Sequence, residues 1–131
     1  AIKRTRQRAG ITGSHYKIAD GSGLSLYNYV TPELLTKLLV YAYRHPSIYR
    51  YLYVSLPVAG EDGTLKKRMK DTPAQISVRA KTGTLTGISS LAGYAVATNN
   101  HVLAFAIINQ GVMKNDQGRN FQDKVCTAMC K

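Results

Sequence analysis

The sequence predicts an α+β fold, an antiparallel sheet packed by helices, and three features carry that expectation. Thr31-Pro32-Glu33 opens a run of leucines at helical spacing, three apolar runs between 76 and 109 have strand character, and helical spacing returns from about 117 onward. With 131 residues the chain makes about one domain. Its 44% hydrophobic, 8% aromatic and 19% charged residues are those of a globular protein and exclude a disordered or collagen-like chain. The longest apolar run, Val102 to Ile108, falls far short of the roughly 18 residues that a membrane-spanning helix needs.

The elements follow in order. Residues 1–15 are basic, then Gly- and Thr-containing, and are read as opening with a helix remnant. They show neither an initiating Met nor an apolar stretch behind the charges, so the chain is expected to be a piece of something longer. Tyr16 to Ala19 reads as a short strand that ends at the Asp20-Gly21-Ser22-Gly23 turn. Thr31 suits a helix cap, Pro32 the first helical position and Glu33 the positive end of the dipole. Leu34, Leu35, Leu38, Leu39 and Ala42 then predict an amphipathic helix over 32–44, stopped by His45-Pro46. In residues 47–56, Tyr49, Tyr51 and Tyr53 alternate with other residues, which leaves short helix and strand both open. Pro57 to Gly63 is a loop followed by the basic run Thr64 to Lys70, of which Lys66 to Lys70 is read as a solvated face.

Ile76, Val78 and Ala80 alternate with Ser77, Arg79 and Lys81, the period of a half-buried strand. Two further apolar runs, Ser89 to Thr98 and His101 to Asn109, are joined by Asn99-Asn100, a pair suited to a tight hairpin because asparagine tolerates positive φ. Phe121, Val125, Ala128 and Met129 lie at helical spacing and predict a C-terminal helix from about 117 onward. Cys126 and Cys130 are read as two small buried thiols on that helix, since a bridge within one turn fits sulfur geometry poorly. His15, His45 and His101 are too dispersed for a metal site, and no cofactor is implied.

Charge is the outlying quantity: 18 Lys and Arg against seven Asp and Glu leave a formal +11, a field that favours anionic partners. Two clusters stand out, Lys3, Arg4, Arg6 and Arg8, and Lys66, Lys67, Arg68 and Lys70. A nucleic-acid-binding module would need both clusters on one surface with the tyrosines of 49–53.

Two motifs carry chemistry. Lys81-Thr82-Gly83-Thr84 supplies an ammonium, two hydroxyls and a glycine that lets a ligand approach the backbone, a combination able to clamp a carboxylate. The Thr84 N–H on an exposed strand edge could face a developing oxyanion. Asp20-Gly-Ser-Gly-Leu-Ser25-Leu-Tyr-Asn28 reads either as a glycine turn whose polar side chains bond local backbone, or as a hydroxyl relaying a proton beside an amide that holds substrate.

DGSGLS with Asn28 and Thr31-Pro32, SLPVAGEDGTL at 55–65 and VRAKTGTLTGISSLAGYA at 78–95 together resemble the C-terminal part of the penicillin-binding D-alanyl-D-alanine carboxypeptidases. The subgroup most similar contains serine enzymes that are both carboxypeptidase and endopeptidase, and the match is spread over about residues 11–130. The resemblance implies residues 1–131 as a C-terminal fragment of a penicillin-binding transpeptidase-like (β-lactamase-like) domain. That domain has a five-stranded antiparallel sheet with helices on both faces, of which this chain supplies about three strands. It further implies Ser25 as proton shuttle, Asn28 as holder of the substrate backbone and Lys81 with Thr82 and Thr84 as the carboxylate site beside Gly83. Thr84 N–H would be half of an oxyanion hole, and acyl transfer would run through an acyl-serine. Peptidoglycan stem peptides and β-lactams are the implied ligands, nucleic acid is not, and the periplasm or cell envelope is the implied location. At 27, where a strict Ser-x-Asn would place asparagine, stands Tyr27.

A Ser-x-x-Lys nucleophile belongs at a helix start, with both side chains on one face. The one match here, Ser14-His15-Tyr16-Lys17, precedes a strand-like run and lies eleven residues before Ser25, so it is read as chance. The nucleophile is therefore expected on the remainder of the catalytic domain, outside this chain, and the isolated piece should expose an apolar face or an unpaired strand edge. A non-catalytic interaction domain of the same fold is the other alternative.

Overall fold

The computed structural model describes residues 2–11, 16–23, 25 and 27–131; Ser14 and His15 of the Ser-x-x-Lys match lie outside them. Helix α1 (Ile2–Arg8) opens the chain. Between Tyr16 and Ala19 the expected strand reduces to a single antiparallel bridge, Lys17 with Tyr29.

Helix α2 (Pro32–Tyr43) follows the expected signals closely. The Thr31 side chain accepts the Leu34 N–H at 3.2 Å, Pro32 occupies the first turn, and Glu33 pairs with Lys37 at 2.6 Å. His45-Pro46 both stops α2 and starts helix α3 (Pro46–Ser55), with Pro46 again in the first turn. That settles the tyrosine-rich segment. Tyr49 and Tyr53, one helical turn apart, pack together on Tyr94, while Tyr51 points away and is 64% exposed.

Strands β1 (Val78–Leu85), β2 (Ile88–Val96) and β3 (Val102–Gln110) form one antiparallel sheet in the order β1-β2-β3. The β2–β3 hairpin turns at Asn99-Asn100 as expected, with Asn100 at φ +63° and Asn99 Oδ1 accepting the His101 N–H. Ile76 departs from its expected strand position. It sits at φ +65° and is 64% exposed, because its N–H is drawn to Ala59 O, so β1 begins two residues later. A short 3₁₀ turn (Gly63–Leu65) follows the 57–62 loop, whose first residues run beside β1: Ala59 N–H donates to Val78 O, and Ala80 N–H to Pro57 O.

Helix α4 (Asn115–Met129) buries a face offset from the one its apolar spacing suggests, although Met129 still packs against the core. Phe121 is 53% exposed and Ala128 is also exposed, whereas Gly118, Gln122, Cys126 and Cys130 form the buried stripe. Gly118 brings the helix close to the sheet, since a Cβ there would lie 3.0 Å from the Ser89 Cβ. Gln122 secures it by donating to Ser89 Oγ and Asn109 Oδ1 at 3.1 and 3.0 Å. A stripe offset by one residue is turned by roughly 100° around the helix, which puts Phe121 beside the contact instead of in it.

The core joins Leu65, Met69 and Ala74 to Val78, Ala80, Leu91 and Phe105 of the sheet and the two cysteines of α4. On the opposite face Tyr94 donates to Leu39 O at 2.7 Å and ties the sheet to α2. Among the described residues nothing pairs with the outer edge of β3, or with β1 in a strand ladder beyond Ala80.

Both cysteines are free and buried, as expected. Burial pushes the Cys126 thiol from 9.0 up to about 12, and burial with Tyr49 nearby pushes the Tyr94 hydroxyl from 10.0 to about 12. Both groups stay neutral in the folded protein at pH values where they ionise in the unfolded chain. Their contribution is therefore complete below pH 9 and lost as pH rises from 9 towards 12. The urea midpoint is predicted to stay level from pH 7 to 8.5 and then to fall, each group adding up to about 1.4 kcal/mol per pH unit. A midpoint still level at pH 11 would contradict that burial.

Candidate functional site

The six predicted site residues fall into two local groups. Lys81, Thr82, Gly83 and Thr84 occupy the second half of β1. Neighbouring residues of an antiparallel strand direct their backbone groups to opposite sides. Ala80 N–H leaves the sheet to reach Pro57 O, so the amides and carbonyls of Thr82 and Thr84 face outward as well, on the stretch of edge that the 57–59 segment does not cover. Lys81 is exposed, and its Nζ folds round this edge to donate to Thr82 O at 2.6 Å. Thr82 Oγ1 donates to Thr64 Oγ1 at 3.0 Å, bringing in a hydroxyl from the 3₁₀ turn.

Gly83 leaves room for the Ser90 hydroxyl as well as for access. A Cβ at that position would stand 2.5 Å from Ser90 Oγ, which donates to Gly83 O at 3.3 Å. Beside the strand lies a cavity of about 370 Å³ lined by Thr64, Lys67, Thr82, Thr84, Ser89, Ser90, Arg119 and the inner Arg68. Ammonium, outward amides and hydroxyls thus meet at one strand edge, a set of donors with the chemistry to hold a carboxylate and to stabilise an oxyanion.

The second group is a loop. Asn28 Oδ1 accepts the N–H groups of Ala19 and Asp20 at 2.8 and 3.3 Å, and its Nδ2 donates to Asp20 Oδ1 at 3.0 Å. That bond, with Ser22 and Gly23 also donating to the carboxylate, holds Asp20 below its ordinary value. Ser25 Oγ accepts the Tyr27 N–H at 3.2 Å. Among the described residues the side-chain bonds of Ser25 and Asn28 stay within residues 19–28, the pattern of a polar turn.

Thr64, Lys67 and Arg119 were not singled out as site residues by sequence. Thr64 falls within the SLPVAGEDGTL segment, but its place opposite Thr82 comes from the 3₁₀ turn; Arg119 carries no signal and reaches the cavity because α4 crosses the sheet there. The basic run also needs correction as a solvated face. Arg68 points inward, its side chain only 11% exposed, and its Nε and Nη2 bond Asp123 Oδ1 at 2.9 and 2.5 Å. Among the described residues no group of three or more His, Cys, Asp or Glu is arranged to hold a metal.

Residues 1–129 match the profile of the D-Ala-D-Ala carboxypeptidase 3 (S13) family. A D-alanyl-D-alanine carboxypeptidase of Actinomadura sp. (strain R39) is 42% identical over 107 residues, which are 78% of this chain and 20% of that protein. The penicillin-sensitive carboxypeptidase A of Dictyostelium discoideum is 44% identical over 93 residues, 70% of this chain and 18% of that one. Penicillin binding protein 4 of Haemophilus influenzae, solved in complex with a β-lactam, superposes with a TM-score of 0.87 at 30% identity, over 100% of this chain and 32% of its own. The chain thus spans about a fifth to a third of the proteins it resembles, and their sheet-and-helix fold is the one described above.

Proposed function

Because the chain belongs to the D-Ala-D-Ala carboxypeptidase 3 (S13) family, we propose that it supplies the carboxylate-binding strand and half of the oxyanion hole of a serine-type D-Ala-D-Ala carboxypeptidase or endopeptidase. Its substrates are peptidoglycan stem peptides in the cell envelope, and its inhibitors are β-lactams. The supporting observation is the uncovered edge of β1, where Lys81 Nζ and the outward Thr82 and Thr84 amides converge.

In this mechanism the terminal carboxylate of the peptide takes the place of Thr82 O as the partner of Lys81 Nζ, and the Thr82 and Thr84 hydroxyls add hydrogen bonds. A serine outside this chain attacks the penultimate carbonyl. The oxygen of that carbonyl gathers charge as the C–O bond to the serine forms, and Thr84 N–H donates to it. The C–N bond then breaks, D-alanine leaves with a proton, and water hydrolyses the acyl-serine. Ser25 retains a hydroxyl proton to donate while accepting from Tyr27, which is compatible with the proton shuttle. Asn28 keeps its Oδ1 and one Nδ2 proton within the loop, which leaves the second Nδ2 proton to donate to the substrate backbone.

The 131-residue chain by itself is predicted to form no adduct with benzylpenicillin in intact-mass spectrometry, whereas the polypeptide that includes the Ser-x-x-Lys helix gains one acyl group. A stoichiometric adduct on the isolated chain would overturn the division of the site, and no adduct on either would overturn the proposed activity.

A further inference from the structure

A second cavity of about 620 Å³ runs between residues 67–72 and α4, and it shares Lys67 with the cavity beside Thr82 and Thr84. Lys67, Lys70, Lys124 and Lys131 line it, together with Asp123 and Thr127. Among the described residues none of the four lysines forms an ion pair. The acidic side chain in the lining, Asp123, is occupied by the fork of Arg68, and the main-chain oxygen of Lys131 accepts the Thr98 hydroxyl. Asp71, next to Lys70 in sequence, is exposed and does not line the groove. The Thr127 hydroxyl donates to Asp123 O, so the ammonium groups are the groove's principal free donors. Both walls are fixed before any ligand arrives, because Arg68 also bonds Arg119 O and Gln122 Oε1 and thereby fastens the basic segment to the helix.

We propose that this groove binds an extended acidic peptide through its side-chain carboxylates. Four like charges around a concave surface focus the potential and concentrate anions. Ammonium groups are point charges that suit separate carboxylates, and the lining contains no aromatic ring on which a nucleobase could stack. Choosing a peptide over another polyanion rests on the function proposed above: Lys67 borders both this groove and the cavity beside Thr82 and Thr84, so a peptide held here would lie next to the proposed substrate site. The anion preference of the groove is independent of that reading.

The probe is fluorescein-labelled hexa-L-glutamate, titrated with the 131-residue chain and followed by anisotropy at low and physiological salt. Binding is expected to weaken with salt as exposed charges are screened. K70Q/K124Q should weaken it by about tenfold or more, while R4Q/R8Q, which removes the same net charge from α1, should change it less than about twofold, since contacts and not total charge hold the ligand. Circular dichroism confirms that both variants fold. Equal weakening by the two pairs, absence of binding at low salt, or tighter binding of a duplex DNA oligonucleotide than of the peptide would each overturn the proposal. Peptide binding with this pattern, but no penicillin adduct on the longer polypeptide, would retain the groove and remove the activity.

Discussion

Arg68→Ala is expected to lower the unfolding free energy by about 3–5 kcal/mol, because it leaves a half-buried carboxylate and a buried amide without their partner. This side chain joins the 66–70 segment to α4. Its guanidinium bonds Asp123 Oδ1 through Nε and Nη2, Gln122 Oε1 at 3.0 Å and Arg119 O at 3.2 Å. Gln122, 0% exposed, in turn bonds Ser89 and Asn109. Removing the arginine therefore loosens α4 from both the sheet and the 66–70 segment. An exposed ion pair such as Arg119 with Asp116 (side chains 43% and 83% exposed) belongs to the class worth at most about 1 kcal/mol, so the two can be told apart by urea titration. Arg68→Met with Asp123→Leu should recover most of the loss, since neither partner is then left charged and alone. A loss below about 1 kcal/mol for Arg68→Ala would mean that the bridge does not fasten α4.

Arg68 also marks a limit of sequence reading. Within Lys66-Lys67-Arg68-Met69-Lys70 nothing local distinguishes the inward residue from its neighbours; the distinction is made by Asp123, 55 positions away. The same cause explains the offset face of α4. Its apolar spacing suggests burial of Phe121, but close approach at Gly118 and the bonds of Gln122 select the adjacent stripe. Ile76 fails for a related reason, drawn out of the strand by a bond to Ala59. By contrast, the start of α2 and the Asn99-Asn100 hairpin were legible because their determinants are contiguous: a cap, a proline, a residue at positive φ. The candidate site divides along the same line. Lys81 to Thr84 are contiguous on one strand, so their shared place was legible in sequence, whereas Thr64 and Arg119 arrive through tertiary packing. For Ser25 and Asn28, a turn-forming pattern and a catalytic one use the same residue types, so spacing alone could not separate them.

The two donors of the β1 edge should separate kinetically in the complete catalytic domain. In the proposed mechanism Lys81 would meet a carboxylate present in both ground state and transition state, so Lys81→Ala should act mainly through KM. Losing one charge-assisted hydrogen bond, worth about 1.5–3 kcal/mol, lowers kcat/KM roughly 10- to 150-fold. The Thr84 amide, in that mechanism, would meet an oxygen that becomes an anion only as the reaction proceeds. Thr84→Pro deletes that N–H at an outward-facing edge position, where proline breaks no ladder bond, and should reduce kcat by about 10²–10³ with little change in KM. Thr84→Ala, which keeps the amide, controls for the lost hydroxyl. A D-Ala-D-Ala peptide amidated at its terminus provides the cross-check, since it should already lack what Lys81 supplies and Lys81→Ala should slow it no further. If Lys81→Ala slowed the amidated and the free peptide by the same factor, the ammonium would not be reading the carboxylate. Thr84→Pro with unchanged kcat would remove the strand edge from the oxyanion hole.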